Sequence, residues 1–146
     1  MNTFLNDLNF KHRFEIQTRF GDIDMMGHVN NASYFSYAEV ARLDYYGNAI
    51  GFDSDWHKQH GLIMAKFEID FKKAICFSDK VFVYTKCTRL GNTSFDLSWT
   101  ITSIDINNAE EIAAEGETII VCYDYRLKRP REIPVERRKL IEEFEK

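Results

Sequence analysis

The chain has 146 residues, of which 45% are hydrophobic and 29% are charged. A second independent core would need roughly 100 more residues, so we expect residues 1–146 to form a single domain. The formal net charge of −4 disfavours a nucleic-acid-binding protein. No run approaches the ~18 consecutive apolar residues of a membrane-spanning helix, and the first residues lack the order of a signal peptide. These features predict a cytoplasmic protein without a membrane span.

The first predicted element is a strand at residues 11–20, where apolar and polar side chains alternate. Residues 21–30 contain two glycines and two aspartates and have no regular period, so they are expected to form a loop. Asn30 and Asn31 then offer N-capping oxygens just before tyrosines and alanines that recur at helical spacing. This pattern predicts a helix of about four turns. We expect it to end near Gly47 or Gly51, with a short helical turn following at residues 53–60.

After Gly61 the hydrophobic pattern changes to period two and predicts four strands. Turn-forming residues separate the strands, so each consecutive pair is expected to form an antiparallel hairpin. The three predicted turns lie at residues 77–79, 90–92 and 107–108. A short helix is expected at residues 135–146. The three cysteines each lie in an apolar strand-like run and are expected to be reduced and buried: Cys76, Cys87 and Cys122.

This order of elements predicts an α+β fold, in which one long helix lies against a curved antiparallel sheet of about five strands. One helix cannot cover five strands, and the chain has 12 Phe, 7 Tyr and 2 Trp residues to bury. We therefore expect the uncovered face to pack against a second copy of the chain, in a homodimer or homotetramer.

The loop at residues 21–30 concentrates polar side chains directly before a helix. The first turn of a helix has N–H groups without intrahelical acceptors, which can polarise a carbonyl or hold an oxyanion. A carboxylate just before that turn, such as Asp22 or Asp24, can act as a base or a nucleophile. His28 adds a group that titrates near neutral pH. Both requirements of acyl-transfer chemistry therefore lie in one loop.

A structural role for this loop is also open. In that alternative the two aspartates bind loop amides, His28 packs beside the helix, and Asn30 and Asn31 cap it. Two other functions are excluded by the spacing. Asp-x-Asp at residues 22–24 lacks the further oxygen ligands of a calcium loop. Residues 21–27 lack the Lys-Ser/Thr pair of a phosphate-binding loop.

Residues 20–42, FGDIDMMGHVNNASYFSYAEVAR, resemble the signature of the 4-hydroxybenzoyl-CoA thioesterase-like group of the hotdog-fold superfamily. That group includes acyl-CoA and acyl-ACP thioesterases. The likeness continues through LGNTSF at residues 90–95 and through Arg129-Pro130 and Ile133-Pro134, so it covers about residues 14–134. The resemblance implies a hotdog fold that hydrolyses thioesters.

The resemblance also implies roles for individual residues. Asp24 matches the family's catalytic carboxylate, which attacks the thioester carbonyl or activates a water molecule. Asn31 matches the position whose backbone N–H polarises that carbonyl. His28 matches a histidine implicated in plant acyl-ACP enzymes, although some bacterial members have a histidine where this chain has Asn31. The expected substrate contacts around these residues are Gly27, Asn30 and Tyr34.

Two departures from the family pattern limit what can be carried over. Met26 stands where the plant enzymes have an asparagine, so a His-Asn pair of that kind is not assumed. The 4-hydroxybenzoyl enzymes have a basic cluster on the third hairpin for the coenzyme phosphate, whereas this chain offers only Arg89, with Thr93 nearby. Benzoyl specificity therefore does not transfer. Other cations could bind the phosphate, unless they form an ordinary solvated surface: Arg126, Lys128, Arg129 and Arg131.

The remaining candidate residues carry weaker signals. His57 and His60 could share a face, but no further ligand at suitable spacing completes a metal site. Glu39 and Arg42 are expected to pair, and Glu39 matches a recurrent family glutamate near the active-site helix. Tyr34, like the other tyrosines at helical spacing, is also expected to pack in the core.

Taken together, the sequence predicts an acyl-CoA or acyl-ACP thioesterase that releases a carboxylic acid and a thiol and uses no cofactor or metal. The alternative is a non-catalytic module that binds acyl thioesters. A pure binder gains little from a desolvated carboxylate near a carbonyl oxygen, which argues against it. A hotdog hydratase or dehydratase is a third possibility, but this loop lacks the histidine and acid arrangement that it needs. The acyl chain of the substrate is not predicted.

Overall fold

The computed structural model describes residues 3–51 and 60–146. A short helix α1 (Thr3–Asp7) precedes strand β1 (His12–Ile16), a 3₁₀ turn (Phe20–Asp22) and the long helix α2 (Asn31–Tyr45). A π-helical turn (Tyr46–Ile50) extends α2, and Gly51, with φ of 67°, ends it. Four long strands follow: β2 (His60–Phe71), β3 (Lys80–Leu90), β4 (Ser94–Ile104) and β5 (Glu110–Asp124). The short strand β6 (Arg129–Pro130) and helix α3 (Val135–Glu145) complete the chain.

The strands form one antiparallel sheet in the order β1-β3-β4-β5-β2, with β6 paired to β5. This sheet and the single long helix confirm the predicted architecture. Helix α2 begins where expected, because the side chain of Asn30 accepts a hydrogen bond from the Ala32 amide. Its buried face combines small and large side chains, so the helix lies close to the sheet: Tyr34, Tyr37, Ala38, Ala41 and Tyr45.

The prediction of a hairpin at residues 77–79 is wrong. Strand β2 pairs with β5 at one edge of the sheet, while β3 pairs with β1 and β4. Turn residues indicate that the chain reverses, but they do not say which strand lies beside it. Residues 72–79, which we call the crossover segment, therefore carry the chain across the end of the sheet. The other two predicted turns do connect paired strands, β3 with β4 and β4 with β5.

Three smaller expectations also need correction or fall outside the described residues. Strand β1 ends at Ile16 instead of residue 20, because the Asp22 carboxylate accepts the Arg19 amide and turns the chain away from the sheet. Cys76 is exposed in the crossover segment, whereas Cys122 is buried in β5 and Cys87 is half-buried in β3. Helix α1 was not predicted. The helical turn predicted at residues 53–60 lies outside the described residues, except that residue 60 begins β2.

The core follows the length of α2 in two clusters. The cluster at the N-terminal half of α2 includes Tyr37, Ile75 and Trp99. The cluster at the C-terminal half includes Tyr45, Phe95 and Ile141 of α3. These buried side chains fix both ends of α2 against the sheet, and the polar loop before α2 is thereby held at one end of it.

Candidate active site

The loop between β1 and α2 is a small closed turn. Ile23 and Val29 form an antiparallel bridge, and the Asp24 amide donates to the His28 carbonyl at 2.9 Å. The Gly27 amide donates back to the Asp24 carbonyl at 3.0 Å. Gly27 has a φ of 81°, which side-chain-bearing residues rarely adopt. The glycine is therefore required by the turn that presents Asp24.

Asp22 fixes this loop to helix α2 and to the chain that precedes the loop. Its side chain is buried, and it accepts hydrogen bonds from the Tyr37 hydroxyl at 2.7 Å and the Arg19 amide at 3.0 Å. Burial by itself raises the pKa of the Asp22 carboxyl. The hydrogen bonds and the positive charge of Arg19 together lower it by more than burial raises it, so the pKa lies below its usual value. The Asp22 carbonyl also accepts the Asn30 amide at 2.7 Å. For Asp22, these contacts favour the structural alternative described above.

Asp24 is placed differently from its neighbour Asp22. Its side chain is half-buried, and Oδ1 accepts the Met26 amide at 2.9 Å. Among the described residues, no hydrogen bond to Oδ2 is found. One oxygen thus fixes the orientation of the carboxylate, while the second is available to a ligand. This is the arrangement that a general base or a nucleophile requires.

The start of α2 supplies the second part of the site. The Asn30 side-chain oxygen accepts a hydrogen bond from the Ala32 amide, and the Asn30 carbonyl accepts one from the Ser33 amide. The amide of Asn31, the first residue of the helix, has no acceptor within the helix. It stands at the positive end of the helix dipole, where a developing oxyanion is stabilised. Because the Asn30 side-chain oxygen caps the helix, that oxygen is not available to a substrate.

These groups line one open cavity of about 420 Å³. The lining includes four of the residues singled out in the sequence: Asp24, His28, Asn31 and Tyr34. His28 is exposed, and Tyr34 is buried with its ring edge-on to Phe71 at 5.1 Å between centroids. Burial raises the pKa of the Tyr34 hydroxyl, which keeps it protonated as a hydrogen-bond donor.

The opposite wall of the cavity comes from Phe71, Lys72, Lys73 and Ala74. The sequence patterns did not indicate that residues 72–74 lie at the site. The Tyr34 hydroxyl donates to the Lys73 carbonyl at 3.3 Å, and the Val29 amide donates to the Ile75 carbonyl at 2.8 Å. The crossover segment is thus bound to the loop and to the helix. A correct assignment of the β2–β3 connection as a crossover would have brought these residues to the site.

Arg89 and Thr93 lie at the other end of the sheet from Asp24. The Asp24 loop follows Ile16, which pairs with Val81 at the start of β3, whereas Arg89 is roughly 25 Å further along that strand. Arg89 forms two hydrogen bonds to Asp96, each of 2.8 Å. Residues 126–131 follow β5 at that same distant end. Within one chain these phosphate-binding candidates are therefore not brought to the cavity.

Glu39 and Arg42 form the expected pair, with 3.5 Å between Oε2 and Nη2. Arg42 is mostly buried and also contacts the sulfur of Met64. Neither residue lines the cavity. His57 lies outside the described residues, as does the side chain of His60. In the described part of the chain, no group of three or more His, Cys, Asp or Glu side chains is arranged to hold a metal ion.

Comparison with known protein families decides the assignment. The family model for the thioesterase-like superfamily matches residues 18–141. The chain belongs to this superfamily. The match begins just before the Asp24 loop and ends in α3, so it includes the loop, the long helix and the whole four-strand stretch that follows. Membership of this superfamily supports the assignment of the chain as a thioester hydrolase.

Individual relatives agree with this membership. A thioesterase from Thermus thermophilus, solved with coenzyme A and Zn, is 32% identical with a TM-score of 0.79, covering 94% of this chain and 96% of that one. The long-chain acyl-CoA thioesterase FadM of Escherichia coli is 25% identical and covers 90% of this chain and 98% of FadM. The DHNA-CoA thioesterase of Staphylococcus aureus is 26% identical with a TM-score of 0.73, covering 83% of this chain and 79% of that one. The described helices of this chain include none long and apolar enough to span a membrane.

Proposed function

We propose that this chain hydrolyses acyl-CoA thioesters to a carboxylic acid and a free thiol, with Asp24 as the general base or nucleophile. The observation that carries the proposal is the half-buried Asp24 carboxylate, with Oδ1 fixed by the Met26 amide, beside the first amide of a helix in one cavity. The relatives named above act on CoA thioesters or were solved with coenzyme A, which favours CoA over a carrier protein.

In this mechanism the thioester carbonyl lies near the Asn31 amide, which stabilises the negative charge that develops on the oxygen. As a base, Asp24 removes a proton from water, the hydroxide adds to the carbonyl carbon, and the carbon–sulfur bond breaks to release the thiolate. As a nucleophile, Asp24 adds to the carbonyl carbon itself, the carbon–sulfur bond breaks to release the thiolate, and water then hydrolyses the resulting mixed anhydride to the carboxylic acid and free Asp24. The exposed His28 lines the same cavity, where a ring N–H can donate a hydrogen bond to the departing thiolate.

In this mechanism we place the acyl group of the substrate against the apolar part of the cavity. Val29, Tyr34 and Phe71 form it together with the exposed side chain of Met26. Phe35, Phe67 and Trp99 form a connected aromatic group next to it, with ring centroids 4.7 and 5.2 Å apart. Gly27 and Asn30 contribute backbone to the loop, and their contact with substrate stays a prediction.

A homodimer is part of the same proposal. Strand β2 has 12 residues and lies at the edge of the sheet, where its outer backbone groups are available for pairing. Phe20, Met25 and Met26 are at least 79% exposed around the Asp24 loop, which favours a second copy covering this region. Sedimentation at micromolar concentration tests this part, and a monomer would contradict it.

The test of the activity is a thiol-release screen over aromatic, short, medium and long acyl-CoAs, with an Asp24→Ala preparation as the control. We expect a graded profile that identifies the preferred acyl group and a loss of turnover in the variant. Tight binding of acyl-CoA without thiol release from any member would favour the non-catalytic binding module instead. Full activity in Asp24→Ala would show that the catalytic group lies elsewhere.

A further inference from the structure

A second cavity lies on the face of the sheet opposite α2. Val83 of β3 packs in the core against α2, so its neighbour Tyr84 points to the other face. There, α1 and residues 9–11 enclose about 560 Å³ together with Tyr84, Ile104 and Glu110. Small-molecule sites in proteins have volumes of roughly 300–1,000 Å³. This space, which we call the α1 cavity, is therefore large enough for a ligand, and it shares no lining residue with the proposed active site.

The chain that covers the α1 cavity is fixed to the sheet. Leu5 is buried, and the Phe10 ring lies 5.8 Å from the Tyr84 ring. The Lys86 ammonium donates to the Leu8 carbonyl at 2.6 Å and lies 5.0 Å from the centroid of the Phe10 ring. The walls of this cavity are therefore supplied and held in place within one chain.

Arg13 places a cation in the α1 cavity. Its guanidinium lies 3.6 Å from the centroid of the Phe82 ring, and its Nε donates to the Tyr84 hydroxyl at 3.0 Å. Among the described residues, no acceptor of a hydrogen bond from either Nη of Arg13 is found. The guanidinium is thus held in place while its two Nη groups can bind a ligand. Lys11, two residues earlier in the chain, lines the same cavity and adds a second cation.

The lining of the α1 cavity also contains one carboxylate. Oε1 of Glu110 accepts hydrogen bonds from the hydroxyls of Tyr84 and Thr102, at 2.9 Å each. Burial raises the pKa of the Tyr84 hydroxyl, so this group stays protonated and donates to Glu110. Among the described lining residues, Lys11 and Arg13 carry two positive charges against the one negative charge of Glu110. The cavity therefore has an excess of positive charge and favours an anion, although the chain as a whole has a formal net charge of −4.

The chemistry of the walls indicates which kind of anion fits. Leu5, Phe10 and Ile104 offer apolar surface to a hydrocarbon chain. The two Nη groups of an arginine match a carboxylate, whose oxygens can accept two parallel hydrogen bonds. A ligand with an apolar chain and one carboxylate would use both parts of the cavity.

We propose that the α1 cavity binds a carboxylate with an apolar chain. The head group binds the Nη groups of Arg13, and the chain lies against Leu5, Phe10 and Ile104. This ligand site is additional to the proposed hydrolysis and does not depend on it. The carboxylic acid that hydrolysis of an acyl thioester would release belongs to the same chemical class.

Calorimetry with dodecanoate tests the proposal. We expect one binding site per chain in the parent protein and a Kd about tenfold higher in Arg13→Gln, because the charge-assisted hydrogen bonds are lost. Ile104→Glu places a negative charge against the chain and should remove measurable binding. The matched control is Lys66→Gln, since Lys66 is 54% exposed on β2, pairs with Glu68 at 2.7 Å and lies outside the lining of the α1 cavity. Its Kd should equal that of the parent protein.

Two further ligands separate the head group from the chain. Dodecanol has the same chain without the carboxylate, so its affinity should not respond to Arg13→Gln. Butyrate has the carboxylate with little chain and should not bind measurably. Thermal unfolding without ligand shows whether each variant is folded. If Arg13→Gln is not folded, Arg13→Lys keeps the charge without the paired Nη groups and should still raise the Kd of dodecanoate.

The same acid can instead occupy the cavity around Asp24, and a competition experiment distinguishes the two places. Dodecanoyl-CoA bound to Asp24→Asn fills that cavity with its own acyl chain, and the Kd of dodecanoate should stay unchanged. Displacement of dodecanoate by dodecanoyl-CoA would overturn the proposal. An equal Kd in the parent protein and in Arg13→Gln, or no binding of dodecanoate to the parent protein, would do the same.

Discussion

The two ends of α2 differ in how completely their polar groups are used. At the C-terminal end, Glu145 of α3 accepts the Tyr45 hydroxyl at 2.6 Å and the Cys87 amide at 2.8 Å. Arg137 donates to the carbonyls that end the helix. At the N-terminal end, Asp24 and the first helix amide face an open cavity. Glu145 is thus a structural carboxylate because the chain itself supplies its donors, whereas the proposed reactivity of Asp24 rests on an oxygen that the cavity leaves accessible.

The largest expected effect comes from Asp24→Asn. Asparagine keeps an oxygen that can accept the Met26 amide, so the loop retains its shape while the basic or nucleophilic oxygen is lost. We expect kcat to fall about 1,000-fold with little change in KM. Thiol release at saturating acyl-CoA measures this, and circular dichroism with thermal unfolding confirms that the variant is folded. A variant that retains a fifth or more of the parent kcat would remove Asp24 from the chemistry.

Asp22 tests whether the N-terminal end also contains a purely structural carboxylate. Asp22→Ala leaves the Tyr37 hydroxyl and the Arg19 amide without their acceptor, and we expect the free energy of unfolding to fall by about 3 kcal/mol. Denaturant unfolding measures the loss. Tyr37→Phe removes the donor of the hydrogen bond between Tyr37 and Asp22. The free energy of unfolding of the double variant should therefore fall by less than the sum of the two single losses. Additive losses would show that the bond contributes nothing.

The stability that Asp22 contributes should also depend on pH in a defined direction. Its pKa is lower in the folded protein than the usual 3.8, so the contribution is complete above that pH and is lost as the pH falls through the folded pKa. The difference in unfolding free energy between the parent and Asp22→Ala should stay constant from about pH 7 to pH 5 and narrow below about pH 4. A difference that grows in acid would contradict this assignment.

Sequence patterns revealed the parts of this molecule that depend on local chemistry. The Asn30 cap and the spacing of the tyrosines and alanines predicted α2, and the spacing of Asp24, His28 and Asn31 predicted residues that share a cavity. The patterns could not distinguish Asp22 from Asp24 in their structural roles, because the difference comes from Tyr37, 15 residues away along the chain.

The crossover segment is a second feature that the sequence patterns could not predict. Its turn residues are the same as those of a hairpin, and only the pairing of β2 with β5 shows that the chain crosses the end of the sheet. The part of the cavity wall formed by residues 72–74 was missed for that reason. Strand partners depend on contacts between residues far apart in the chain, and the pattern of a single sequence does not indicate which strands make these contacts.

The smallest expected effect comes from the C-terminal end of α2. Glu145→Ala leaves the Tyr45 hydroxyl and the Cys87 amide without an acceptor, so the free energy of unfolding should fall by about 2 kcal/mol. Glu142→Ala, an exposed position on the same helix, is the matched control and should change little. Since α2 is fixed independently at its N-terminal half by the core around Tyr37 and Trp99, kcat should remain at the parent value. A fall in kcat in Glu145→Ala, with Glu142→Ala unaffected, would mean that the two ends of α2 are coupled through the helix. The C-terminal end of α2 would then also position the Asp24 loop.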